Sequence, residues 1–210
     1  MRLYVPPERW DEKHDLNTIE TYDPARPFVV GPCQLCGVAD CGKDQNGHGS
    51  PIIIAISGVK RSGFTAACGI FCNINSPYNK ALSLHRTRLT PEQAELHAAI
   101  TALKQVKAFL ATEANEEATK QAMRIVIKTD SAYLTADKAA RARCTNHVQL
   151  AREFNDLLIE LDKTLGCKPT VEFWKVSRER NLMANQLANT ILDGWEETRS
   201  EMRTFFDGVV

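Results

Sequence analysis

From Pro51 onward, short β-branched runs alternate with amphipathic helical stripes, and this alternation restricts the chain to an α/β fold. IIIAI (52–56) is continuous and β-branched, the pattern of a buried strand. SGVKRSG reads as a turn, FTAACGIFCNI (64–74) as a second strand, NSPYN as another turn, and KALSLHRTRL (80–89) as a third strand with apolar and polar residues alternating. Two tight connections joining three strands predict an antiparallel meander. Thr90, Pro91 and Glu92 begin a helix with a hydroxyl cap, proline at the first position and an early acid. Ala94, Leu96, Ala99, Ile100, Leu103, Val106 and Leu110 carry its stripe to about residue 111. RIVIKT (124–129) is a fourth strand, SAYLTADKAARAR a second helix, residues 147–166 a third helix and TVEFWKV (170–176) a fifth strand. The last helix covers 181–195, with the following tail either continuing it or fraying. The order β-β-β-α-β-α-α-β-α requires crossovers late in the chain, so strands one, four and five are expected to be parallel neighbours. The expectation is a five-stranded mixed sheet with helices on both faces.

The pattern before Pro51 is different. Five prolines (Pro6, Pro7, Pro24, Pro27 and Pro32) and many charges predict an irregular arm over the first fifty residues. The domain proper then spans 51–195, and 196–210 is a tail. The chain is neutral overall, but residues 1–50 carry a net −3, 51–194 a net +5 and the remainder −2. A mildly basic middle permits a polyanionic partner, and overall neutrality argues against a strongly basic nucleic-acid coat. No run approaches a membrane span, and MRLYVPPERWDEKHD has no apolar stretch of secretory type. The seven cysteines then read as thiols or metal ligands in an intracellular protein, nuclear or cytoplasmic.

Two acids fall where open α/β sheets hold their chemistry. Asp130 directly follows RIVIKT, at the carboxyl edge of the sheet, and Glu95 lies early in the first helix. Facing each other, they make a site for Mg²⁺, a cation of oxygen ligands. Each residue also has a plain structural reading, Glu95 favouring a helix N-terminus and Asp130 capping the next helix.

The pieces ISG…AACGIF, SPYN, AELHAAITAL, IKTDSAYL and FWKVSRERNLMANQLAN, in this order, resemble the ribonuclease H type 1 domain, especially its fungal branch. The resemblance covers about two thirds of the chain, from Ile52 to Asp193. It implies cleavage of the RNA strand of RNA–DNA hybrids by two Mg²⁺ ions held by four carboxylates. Glu95 and Asp130 match two of them. Where the resemblance expects the strand-one Asp before a Gly, Ser57 stands before Gly58, and where it expects the last-helix Asp after an Ala, Asn185 follows Ala184. The family's mobile His before the last helix has no counterpart, since Ser177, Arg178 and Glu179 fill that loop. Glu179 and Asp193 are the nearest other acids and read as solvent-exposed. Two charges in place of four predict weak Mg²⁺ binding and little or no hydrolysis.

The family grips a duplex by its backbone, which requires Lys and Arg. Lys60 and Arg61, then Lys138, Arg141 and Arg143, then Lys175, Arg178 and Arg180 form three clusters that converge on the Asp130 edge under this fold, although charge runs are also ordinary solvated faces. Cys33, Cys36, Cys41 and His48 have spacing compatible with a structural zinc site, with free loop thiols as the alternative. Cys68, Cys72, Cys144 and Cys167 read as buried small hydrophobes, Trp174 as core, and His97 as a surface or packed histidine. The leading expectation is a catalytically impaired, nucleic-acid-binding domain for hybrid or other duplexes. A functioning Mg²⁺-dependent hybrid ribonuclease and a protein-interaction scaffold without nucleic acid are the alternatives.

Overall fold

The computed structural model describes residues 2–4, 20–32, 50–61, 65–84, 89–111, 124–135, 148–165 and 171–207. Its strands are β1 (Arg2–Leu3), β2 (Val29–Val30), β3 (Ile52–Lys60), β4 (Ala66–Phe71), β5 (Lys80–Leu84), β6 (Ile125–Thr129) and β7 (Val171–Lys175). Its helices are α1 (Pro91–Leu110), α2 (Ala132–Thr135), α3 (Val148–Leu165) and α4 (Leu182–Asp207), with one 3-10 turn at Arg178–Asn181.

The sheet order is β1-β7-β6-β3-β4-β5, with β2 pairing the start of β3. The meander is present: β4 runs antiparallel to both β3 and β5. The crossover strands β3, β6 and β7 are parallel neighbours, as their connections require. Alternate residues of β3 divide the molecule into two cores. Ile52, Ile54 and Ile56 face α1 and α3 with Leu96, Leu103, Phe154 and Leu161, whereas Ile53 and Ala55 share the opposite core with Trp174 and Ala184 of α4. Helices therefore cover both faces. α1 begins as its sequence predicts, with a capping box in which the Gln93 N–H donates to Thr90 Oγ1 (3.3 Å) and the Thr90 N–H donates to Gln93 Oε1 (2.8 Å).

Two details differ from the sequence reading. First, the strand expected to stop at residue 56 continues to Lys60, and its partners for Ser57 and Gly58 are Gly69 and Cys68. Gly58 is not a turn residue. A Cβ there would lie 2.1 Å from the Glu95 nitrogen, so the missing side chain lets the backbone of α1 settle onto the strand. Gly69 serves the other face, where a Cβ would lie 2.1 Å from the Ala184 carbonyl oxygen of α4. Second, the sheet is wider than five strands, because residues before Pro51 join it. β1 pairs parallel with β7, β2 pairs antiparallel with β3, and Tyr4 packs edge-on to Trp174 with ring centroids 5.7 Å apart. Phe28 stacks on Tyr78 and meets Phe109 edge-on, adding an aromatic plug to the α1 core. The last helix continues through the tail to Asp207, one of the two courses its sequence left open. Among the described residues, no helix is long and apolar enough to cross a membrane.

Candidate functional site

Because β3, β6 and β7 are parallel, their carboxyl ends lie at one edge, where Thr129 pairs with Lys175 and Asp130 follows. Four side chains gather there. Ser57 and Asn185 are both buried and bonded to each other, the Ser57 hydroxyl donating to Asn185 Oδ1 at 2.9 Å across 128 residues of sequence. The Glu95 carboxylate takes the Gly58 N–H and feels the charge of Asp130. Glu95 and Asp130 are therefore on the same side of the molecule, with Ser57 and Asn185 beside them.

Asn181, unassigned in the sequence reading, connects these groups. Its Nδ2 donates to Asp130 Oδ1 and to the Ile56 carbonyl, both at 2.7 Å, and its own carbonyl accepts from Asn185 Nδ2 at 3.0 Å. One step along α4, Asn189 Nδ2 donates to the Asn185 carbonyl at 2.8 Å. Residues 181, 185 and 189 recur at helical spacing, which puts three amides in one row against the sheet edge. That periodic row is the sequence signal by which Asn181 could have been found.

The electrostatics follow from the geometry. Burial pushes the Glu95 carboxyl up to about 8; the Gly58 N–H works against this and the Asp130 charge adds to it. Burial, reinforced by Glu95, also pushes the Cys68 thiol beneath the site up to about 12, so Cys68 is a packed thiol rather than a nucleophile. Cys72 is likewise buried and free, and His97 is half-buried on α1. Glu179 is exposed, and its carboxylate is held below the usual range by its own N–H, then by the Ser177 hydroxyl. It is bonded within its own turn rather than directed at Asp130.

Of the basic residues, Lys60, Lys175 and Arg178 are exposed at this edge, and Arg180 is half-buried. Arg61 is not a free phosphate contact. Its Nη2 donates to Asn189 Oδ1 at 3.1 Å and pairs with Asp193 at 2.6 Å, tying β3 to α4. The exposed Asp193 is thus the ion-pair partner of Arg61. Lys138, Arg141, Arg143, Cys144 and Cys167 lie outside the described residues, as do Cys33, Cys36, Cys41 and His48. Among the described residues, no three His, Cys, Asp or Glu side chains are grouped to hold a metal.

No protein-family model matches the chain, and a search of curated proteins finds no relative. Solved structures do resemble it. The type 1 ribonuclease H of the halophilic archaeon Halobacterium salinarum is 24% identical, the match covering 69% of this chain and 98% of that one, with a TM-score of 0.44. A type 1 ribonuclease H isolated from compost by a metagenomic approach is 20% identical over 68% of this chain and 95% of its own, with a TM-score of 0.46. The N-terminal ribonuclease H domain of a Mycobacterium tuberculosis protein, solved as a fusion with maltose-binding protein, is 16% identical over 67% and 97%, with a TM-score of 0.44. The strand order and the helix on each face are those of a ribonuclease H-like fold.

Proposed function

We propose that the domain binds nucleic acid, an RNA–DNA hybrid or another duplex, along the Asp130 edge and hydrolyses it weakly or not at all. The observation that carries this reading is the Ser57–Asn185 hydrogen bond. Where a two-ion site needs two further carboxylates, a hydroxyl and an amide are bonded to each other and neither brings charge. This donor set does not fit two Mg²⁺ ions. A single ion facing Asp130 and Glu95 has to displace a proton that burial holds on Glu95 to about pH 8, so its affinity is low at neutral pH. Glu95 Oε2 and Asn181 Oδ1 are buried and accept no hydrogen bond from the described residues.

Binding rests on Lys60, Lys175 and Arg178, exposed around the edge. A neutral Glu95 and the loss of two acids lower the repulsion that an approaching phosphate meets. Lys138, Arg141 and Arg143 extend this proposal. Cys33, Cys36, Cys41 and His48 are proposed as a structural zinc site, which metal analysis of the protein and of Cys33→Ser decides. A nuclear or cytoplasmic location completes the reading.

The test is a titration of the purified protein with a fluorescent RNA–DNA hybrid, with and without Mg²⁺, over a salt series. Two or three phosphate contacts predict that affinity falls roughly 10- to 50-fold between 50 and 200 mM salt, without cleavage. Repeated turnover that EDTA and Asp130→Asn both abolish refutes the impaired reading and favours an active ribonuclease. Absence of binding at low salt leaves the protein scaffold. Ser57→Asp with Asn185→Asp is expected to introduce Mg²⁺-dependent cleavage.

A further inference from the structure

An open groove runs along the flank of α4, lined by Arg178, Glu179, Asn185, Gln186, Asn189 and Asp193 among others. Asn185 marks its near end, where it bonds to Ser57 beside the Asp130 edge. Asp193 marks its far end. At 1.5 Å per residue, the stretch of helix between them is about 12 Å long. Successive phosphates of one strand advance about 3.4 Å along a duplex axis, so this length faces roughly three of them. Amides form the middle of the groove and carry no charge.

Arg61 reaches the far end from the sheet. It directly follows β3, next to the exposed Lys60, and its Nη2 holds both Asn189 Oδ1 at 3.1 Å and Asp193 Oδ1 at 2.6 Å. A strand continuing from the edge into the groove therefore meets a guanidinium already occupied by a carboxylate. Carboxylate and phosphate present similar oxygen pairs to that group. We infer, resting on the nucleic-acid reading above, that Asp193 is an autoinhibitory contact, standing on Arg61 in the place of a backbone phosphate. The pair is open enough to exchange: the Arg61 side chain is 28% exposed and that of Asp193 58%, and exposed pairs are weak and screened by salt. Asn189 keeps Arg61 oriented when the acid lets go. A free phosphate ion competes poorly. A strand already held by Lys60, Lys175 and Arg178 delivers its phosphate at high effective concentration.

The test is titration of a fluorescent RNA–DNA hybrid, in EDTA and from 50 to 200 mM salt, into the full-length wild type, Asp193→Ala, Arg61→Gln and the double variant. Alanine is neutral, accepts no hydrogen bond and is a good helix former, so the first variant frees Arg61 without disturbing α4. Asp193→Ala is expected to bind roughly 2- to 5-fold more tightly, the strength of an exposed ion pair. Its salt slope is expected to steepen by roughly 0.5–0.9, close to one added phosphate contact. Adding Arg61→Gln returns both to the wild-type values, whereas Arg61→Gln alone flattens the slope by less than half as much. Wild-type binding with affinity and slope unchanged in Asp193→Ala overturns this inference and leaves the nucleic-acid reading standing. So does a gain that persists without Arg61, or an Arg61→Gln effect equal in both backgrounds, since either makes the acid a distant charge. Absence of hybrid binding by wild type and Asp193→Ala alike removes both.

Discussion

Glu95→Gln, studied without divalent cations, isolates the electrostatic peculiarity of the site. Glutamine keeps the shape of the side chain and fixes it in the neutral state. In the wild type, burial pushes the Glu95 carboxyl from the ordinary 4.5 up to about 8. The fold therefore favours the protonated form. Stability is unpenalised below about pH 4.5, falls as pH rises from there to about 8, and is level above, because over that window the native state holds a proton that the unfolded chain has released. Each pH unit in the window is worth about 1.4 kcal/mol, which sets a ceiling of roughly 5 kcal/mol. The side chain keeps 9% of its surface in water, and hydration of the ionised form brings the expected loss to about 2–3 kcal/mol. Urea unfolding followed by circular dichroism in EDTA at pH 5, 6, 7, 8 and 9 measures it. The difference between wild type and Glu95→Gln is expected to move in favour of the variant by that amount between pH 5 and pH 8, then stop changing. A difference that is flat across the series, or that moves in favour of the wild type as pH rises, refutes the placement of Glu95 in a dry pocket.

Gly58→Ala places a methyl group against the α1 backbone and Gly69→Ala against that of α4, so each is expected to destabilise by about 3 kcal/mol or more in thermal melts, far beyond an exposed Gly→Ala change. Lys128→Met or Glu20→Leu leaves one partner of a buried ion pair alone and is expected to lose roughly 3–5 kcal/mol, while the two together lose less than the sum, as a double-mutant cycle will report. Arg61→Ala breaks a pair whose acid is exposed, so it is expected to change stability by at most about 1 kcal/mol in the same urea assay. Asn181→Ala leaves the Ile56 carbonyl and Asp130 without their shared donor and is expected to cost about 2–3 kcal/mol.

What could be read from the residues was what depends on near neighbours. The apolar run ending in Asp130 and the stripe carrying Glu95 place both acids, because period and capping are local properties. The positions matched as Ser57 and Asn185 do meet, although nothing local foretells that they bond to each other. Gly58 was misread because glycine marks turns on local grounds, whereas its reason here is a helix packed against it from more than thirty residues away. Phe28, Val29 and Glu20 belonged to a segment that reads as irregular, since a two-residue strand has no period and a buried Glu is legible only beside its Lys128. Arg61 looked free for the same reason: Asp193 lies far along the chain, and a charge in sequence does not name its partner.

The two strand glycines carry a consequence for the dimensions of such a pocket. Ser57 and Gly69 pair directly, Gly58 and Cys68 are the next rung, and helices press on that spot from both sides. The separation of α1 from α4 is thus written in two missing methyl groups and owes nothing to ions or to acids. A frame held that way does not depend on the charge of the residues it encloses. Acidic residues can be exchanged for neutral ones, or restored, while the scaffold around them keeps its dimensions.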